Sequence, residues 1–146
     1  MYIVTNFILH QFNIEQMEHE STTEADKRSW TTWFEIPVSD FDRALSFYET
    51  VFEMKIQPVD FGSFKMGIFP HKDVGCAIVQ GESYNPGTQG ATVYLNANPD
   101  LSDALAKVET SGCEILQAKK QISPDHGYMA LFIDTEGNKV ALHSDN

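Results

Sequence analysis

Among the residues of this chain whose side chains could do chemistry, Glu35 and His143 are set in apolar, strand-like runs. Glu35 lies between Phe34 and Ile36, and His143 follows Leu142 close to the end of the chain. A carboxylate held among apolar neighbours suits a general base, and an imidazole titrating near neutrality can bind a ligand or shuttle a proton. Each also has a plain structural role open to it. Glu35 can be a strand-end carboxylate bonded to Gln89 or to solvent, and His143 can close a strand end against a backbone carbonyl. His71 and His126 flank turns. No G-x-S-x-G, Cys–His nucleophile signature, P-loop or G-x-G-x-x-G is present. Cys76 and Cys113 are too far apart for a metal-ligand pair and too few for a disulfide framework, so both are read as reduced thiols in a cytoplasmic protein.

The elements that must position these groups are organised around Trp33 to Phe52. Phe34, Ile36 and Val38 alternate with Trp33, Glu35 and Pro37, which predicts a short strand with two unlike faces. Phe41, Ala44, Leu45, Tyr48, Val51 and Phe52 fall at helical spacing and make one apolar stripe. Between them, Ser39-x-x-Asp42 has the form of a capping box. Runs around Ile56 and Val59, around Met66 and Ile68, and from Ala77 to Val79 then predict three strands in a meander.

After the polar stretch from Gly81 to Gly90 the same order returns. Ala91 to Leu95 is strand-like, and Asn98 and Pro99 suit a helix start. Leu101, Ala104, Leu105 and Val108 make a second stripe ending at Gly112, followed by strands at Glu114–Gln117, Tyr128–Ile133 and Lys139–His143. Gly137 stands where the turn from Asp134 to Asn138 needs positive φ. The chain is thus a tandem repeat of one βαβββ unit, an α+β fold of two modules with curved mixed sheets. Each helix covers one sheet face, which leaves the other faces to enclose one cavity.

Composition narrows the partners. The 146 residues suit one domain, read as 30–146, with 1–29 as an N-terminal extension and linker. With 21 acidic against 10 basic residues the formal charge is -11, which repels nucleic acid and anionic membrane surfaces. The apolar start, Met1 to Phe12, lacks a basic flank and carries Asn6, His10 and Gln11, so it is neither a signal peptide nor a membrane span by pattern.

Phe34-Glu35-Ile36-Pro37-Val38-x-Asp40-x-x-Arg43-Ala44-x-x-Phe47-Tyr48-x-x-Val51-Phe52 resembles the first module of the glyoxalase, bleomycin-resistance and extradiol dioxygenase superfamily, the vicinal oxygen chelate fold. Asp134-x-Glu136-Gly137-Asn138-x-x-x-Leu142-His143-Ser144 resembles the end of its second module. The likeness is greatest to the bacterial branch related to lactoylglutathione lyase. It implies a homodimer, since the superfamily commonly pairs modules across a dimer. It also implies metal-ligand positions at Trp33, Gln80, Ala91 and Ala141, where metal-dependent members carry His, Gln or Glu.

Two alanines and an indole cannot ligate a divalent cation, so no metal and no other cofactor is expected. With Trp33, Ala91 and Ala141 inward, alternation turns Glu35, Val93, Leu95, Lys139 and His143 inward as well. The first expectation is a metal-free protein binding a small, partly apolar molecule at Trp33, Gln80, Ala91, Val93 and Ala141. The second is a lyase- or isomerase-like enzyme using Glu35 or His143 for acid–base chemistry, and the third a divalent-metal glyoxalase or dioxygenase.

Overall fold

The computed structural model describes residues 31–146, so the expected extension and linker at 1–29 lie outside the described residues. The ordered elements are β1 (Trp33–Pro37), α1 (Phe41–Phe52), β2 (Gln57–Asp60), β3 (Phe64–Ile68) and β4 (Gly75–Gly81), then β5 (Val93–Asn96), α2 (Ser102–Thr110), β6 (Ile115–Ser123), β7 (Gly127–Ile133) and β8 (Lys139–Ser144). This is the βαβββ unit twice.

Each module forms a four-stranded mixed sheet, with order β1-β4-β3-β2 in the first and β5-β8-β7-β6 in the second. In both, the strand before the helix pairs in parallel with the last strand of its own module: Glu35 opposite Ala77, and Tyr94 opposite Ala141. The remaining pairs are antiparallel.

The period-two pattern of β1 decides its orientation. Phe34 and Ile36 turn to the helix-covered side, while Trp33 and Glu35 turn to the other. One hydrophobic cluster takes in the helix-covered faces of both sheets and the stripes of both helices, including Ile36, Phe41, Phe47, Tyr48, Ile78, Leu101, Val108, Phe132, Val140 and Leu142. The Phe47 ring of α1 meets that of Phe132 on β7 with centroids 6.2 Å apart. Because these faces share a core, the helix-free faces point away from it. Trp33 on one helix-free face is 38% exposed and Tyr94 on the other 51%. One chain's described residues therefore do not close the expected cavity.

Several boundaries differ from the sequence expectation. The N-cap of α1 is Asp40, whose carboxylate accepts from Arg43 N at 3.0 Å; Ser39, expected to start a capping box, instead donates to Glu136. The second helix begins at Ser102, not at Pro99. Asp100 Oδ1 there accepts from both the backbone N (2.8 Å) and the hydroxyl (2.6 Å) of Ser102, while Asn98 Oδ1 accepts from Asp145 N. Strand β6 runs on to Ser123 with register irregularities against β7. Its polar stretch Ala118 to Gln121 carries no apolar signal, since that edge strand faces solvent.

The turn between β7 and β8 locks the two modules together. Gly137 takes φ 89°, as the turn requires, and its N–H donates to Asp134 O. This places three side chains against the first module. Asp134 Oδ2 accepts from the Tyr48 hydroxyl at 2.7 Å. Glu136 accepts from Ser39 N and Oγ, Asp40 N, and the Arg43 guanidinium at 2.7 and 3.1 Å. Asn138 Nδ2 donates to Pro37 O at 2.8 Å, and its Oδ1 accepts from Gly87 N.

Candidate functional site

The helix-free face of the first sheet presents Trp33, Glu35 and Pro37 from β1, Ala77 and Val79 from β4, and Met66 and Ile68 from β3. Into this apolar surface one carboxylate is set. Glu35 Oε1 accepts from the Trp33 indole N–H at 3.2 Å, and Oε2 accepts from the Tyr84 hydroxyl at 2.6 Å. The partners are therefore two aromatic donors, not Gln89. Tyr84 is placed by the turn that ends β4, where its N–H donates to Gly81 O at 3.0 Å. The bond to Glu35, then burial, raises the phenol's pKa, so Tyr84 stays a proton donor.

The Trp33 ring owes its position to Gly75, its register partner. A Cβ on Gly75 would collide with the indole, so only glycine lets the ring lie across β4. The edge of His71 packs against that ring, centroids 5.8 Å apart at 80°, and His71 Nδ1 is bonded to Phe69 O at 2.9 Å.

Beside this face, where β1, β5, β8 and the segment Asn85–Ala91 meet, lies a cavity of about 380 Å³. Its wall includes Glu35, Pro37, Thr88, Gln89, Ala91, Val93 and Lys139. The expected residues Glu35, Ala91 and Val93 are thus brought together, with Trp33 attached through Glu35. Val93, however, does not face the way the count from Ala91 predicted. It is opposite Val140 and packs against the core, while Tyr94, opposite Ala141, takes the helix-free side. The physical reason is that the strand begins only at Val93, so alternation cannot be counted back through Ala91.

The other expected residues lie elsewhere. Gln80 is on the helix-covered side of β4, and its amide donates to Ser39 O at 2.8 Å. Ala141 is fully buried between Tyr94 and Leu131 on the second helix-free face. His143 shares that face, bonded through Nε2 to His126 O at 2.9 Å, which is its strand-closing role. Glu35 and His143 belong to separate sheets and share no partner.

The four positions where the superfamily implies a metal do not fit one. Trp33, Ala91 and Ala141 offer no donor, and Gln80 turns to the opposite face from Trp33. Among the described residues, no three His, Cys, Asp or Glu side chains are grouped to hold an ion.

Tyr84 is the site residue that the sequence reading missed. Its one signal was an aromatic within an otherwise polar connection, three residues past the end of β4.

Residues 31–66 match the family described as bleomycin resistance protein-like N-terminal. No curated protein matches the sequence. Among solved structures, the trypanothione-dependent glyoxalase I of Leishmania major superposes with TM-score 0.61 at 15% identity, over 81% of this chain and 88% of that one. The antibiotic-binding protein TnmS3 of Streptomyces sp. CB03234 does so with TM-score 0.61 at 21% identity, over 82% and 98%. The fosfomycin resistance protein FosX of Listeria monocytogenes gives 0.57 at 15%, over 82% and 94%. No helix among the described residues is long and apolar enough to cross a membrane. The first module thus matches a bleomycin-resistance-like family model, and the fold of the chain is similar to that of glyoxalase I, TnmS3 and FosX.

Proposed function

We propose that this protein binds a small, partly apolar molecule on the Trp33 face and in the adjoining cavity, without the superfamily's divalent metal. The observation that carries the reading is the Trp33–Glu35–Tyr84 hydrogen-bonded group on the helix-free face beside the half-buried Met66 and Ile68 and next to the cavity that Glu35 lines. A few polar atoms converging in an apolar recess are what a small ligand needs: apolar area for affinity, fixed dipoles for orientation. The likeness to an antibiotic-binding protein supports the same choice.

The exposed aromatic rings of Trp33 and Tyr94 on the helix-free faces suit cover by a second copy of the chain, and we propose a cytoplasmic homodimer on that ground and on the two free thiols. A lyase- or isomerase-like enzyme is the second reading, favoured by the glyoxalase I and FosX likenesses. Against it stands the engagement of both Glu35 oxygens and of His143 Nε2 in internal hydrogen bonds.

A thermal-shift screen of aromatic compounds and metabolites tests the proposal. Stabilising hits should weaken about tenfold or more in Trp33→Ala, the loss of one aromatic contact with its hydrogen bond. Elemental analysis should find no stoichiometric divalent ion. A blank screen, or one ion per chain whose chelation abolishes binding, would overturn the reading.

A further inference from the structure

Three lysines of the described chain are half-buried, and two of them have an acid partner. Lys107 Nζ lies 2.9 Å from Glu53, and Lys119 Nζ 2.7 Å from Asp100. Lys139, the third, makes no side-chain hydrogen bond or ion pair among the described residues, and it lines the 380 Å³ cavity at the module junction. In a chain with 21 acids and 10 bases, a half-buried lysine at a cavity wall with no acid partner among the described residues is conspicuous, because its charge is left available to a ligand.

The cavity's single acid does not answer that charge. Among the described residues Glu35 is the one carboxylate lining it, and both its oxygens are engaged by Trp33 and Tyr84. Around Lys139 the wall instead offers neutral hydrogen-bonding groups, the side chains of Asn85, Thr88 and Gln89, none of them bonded within the described structure. Asn138, next in sequence, is held from both sides by Pro37 O and Gly87 N, so the start of β8 and hence the root of Lys139 is fixed.

We infer that the ligand of this cavity carries an anionic oxygen group, a carboxylate or a phosphate, and that Lys139 is the residue that pairs with it. This rests on the binding reading given above and names the chemistry of the ligand. The apolar part of the molecule then lies toward Pro37, Val93 and the Trp33 face, and Thr88 and Gln89 complete the hydrogen bonding of the anion.

The test uses the full chain and three probes of like size: benzoate, phenyl phosphate and the neutral benzamide, titrated by amide NMR or calorimetry. At least one of the two anions should bind about tenfold or more tightly than benzamide, as expected for a charge-assisted hydrogen bond. Lys139→Gln should erase that preference, bringing the favoured anion to within about twofold of benzamide, and Lys139→Arg should keep it. Equal binding of all three probes overturns the inference. So does an anion preference that survives Lys139→Gln, or a wild type that binds none of them. The wider binding reading falls only if the broad thermal-shift screen is blank as well.

Discussion

The Tyr48 hydroxyl on α1 donates to Asp134 Oδ2 across 2.7 Å, and both residues are buried. Eighty-six positions separate them in sequence, so this one bond ties the helix of the first module to the last turn of the second. Burial, followed by the charge of Asp134 and the bond to it, pushes the phenol well above its usual pKa, so it is the donor in this bond at neutral pH.

Tyr48→Phe removes the donor and keeps the ring. Asp134 retains its bonds from Glu136 N, Asn138 N and Asn138 Nδ2, so the carboxylate is not stranded. The expected cost is about 1–3 kcal/mol of unfolding free energy, the range for a buried hydrogen bond to a charged group. Urea denaturation measures it, and a change below about 0.5 kcal/mol would show that the bond is not a tie between modules.

Glu136 makes the fold acid-sensitive. Burial pushes its carboxyl upward, but the bonds from Arg43, Asp40 and Ser39 outweigh this and hold it at about 2, against an ordinary 4.5. A depressed folded pKa means that the unfolded chain binds the proton first as pH falls. The stabilisation is therefore complete above about 4.5 and is lost as pH drops toward 2. Stability measured across that window should fall steeply in the wild type and more gently in Glu136→Gln, whose side chain does not titrate.

Gly75 should control Trp33. Gly75→Val puts two methyls where the indole lies, so the ring must swing off β4. In a Trp30→Phe background, which leaves Trp33 as the sole indole, the fluorescence maximum should shift to the red and any ligand found by thermal shift should weaken along with it. An unmoved emission spectrum would contradict the close approach.

The Glu35–Tyr84 bond predicts a titration shift. In Glu35→Gln the phenol of Tyr84 loses its anionic acceptor, so its pKa, raised in the wild type, should move back down toward 10. Ultraviolet titration near 295 nm, with Tyr84→Phe subtracted from each background, isolates this one ionisation. Equal Tyr84 ionisation with and without the Glu35 charge would rule out the bond.

The architecture was legible because it is written locally. The period-two run of β1, the helical stripes of α1 and α2, and Gly137 in its turn depend on neighbours in sequence, and the repeat follows from counting them. The segment Asp134 to Asn138 was legible as well, but only as a resemblance. What it does, Asp134 to Tyr48, Glu136 to Arg43 and Asn138 to Pro37, pairs residues some 86 to 101 positions apart, which no local spacing encodes.

The candidate site divides along the same line. Sequence by itself determined that Trp33 and Glu35 share a face, that Trp33, Ala91 and Ala141 cannot ligate a metal, and that the chain is acidic. Only the tertiary structure decided that Tyr84 completes the Glu35 group, that Gln80 and Val93 turn the other way, that His143 is spent on His126 O, and that Lys139 has no side-chain partner among the described residues. Strand register and the packing of one module on the other set those outcomes. A side chain's face is fixed within its strand, but the groups it meets are fixed by which strands lie beside it.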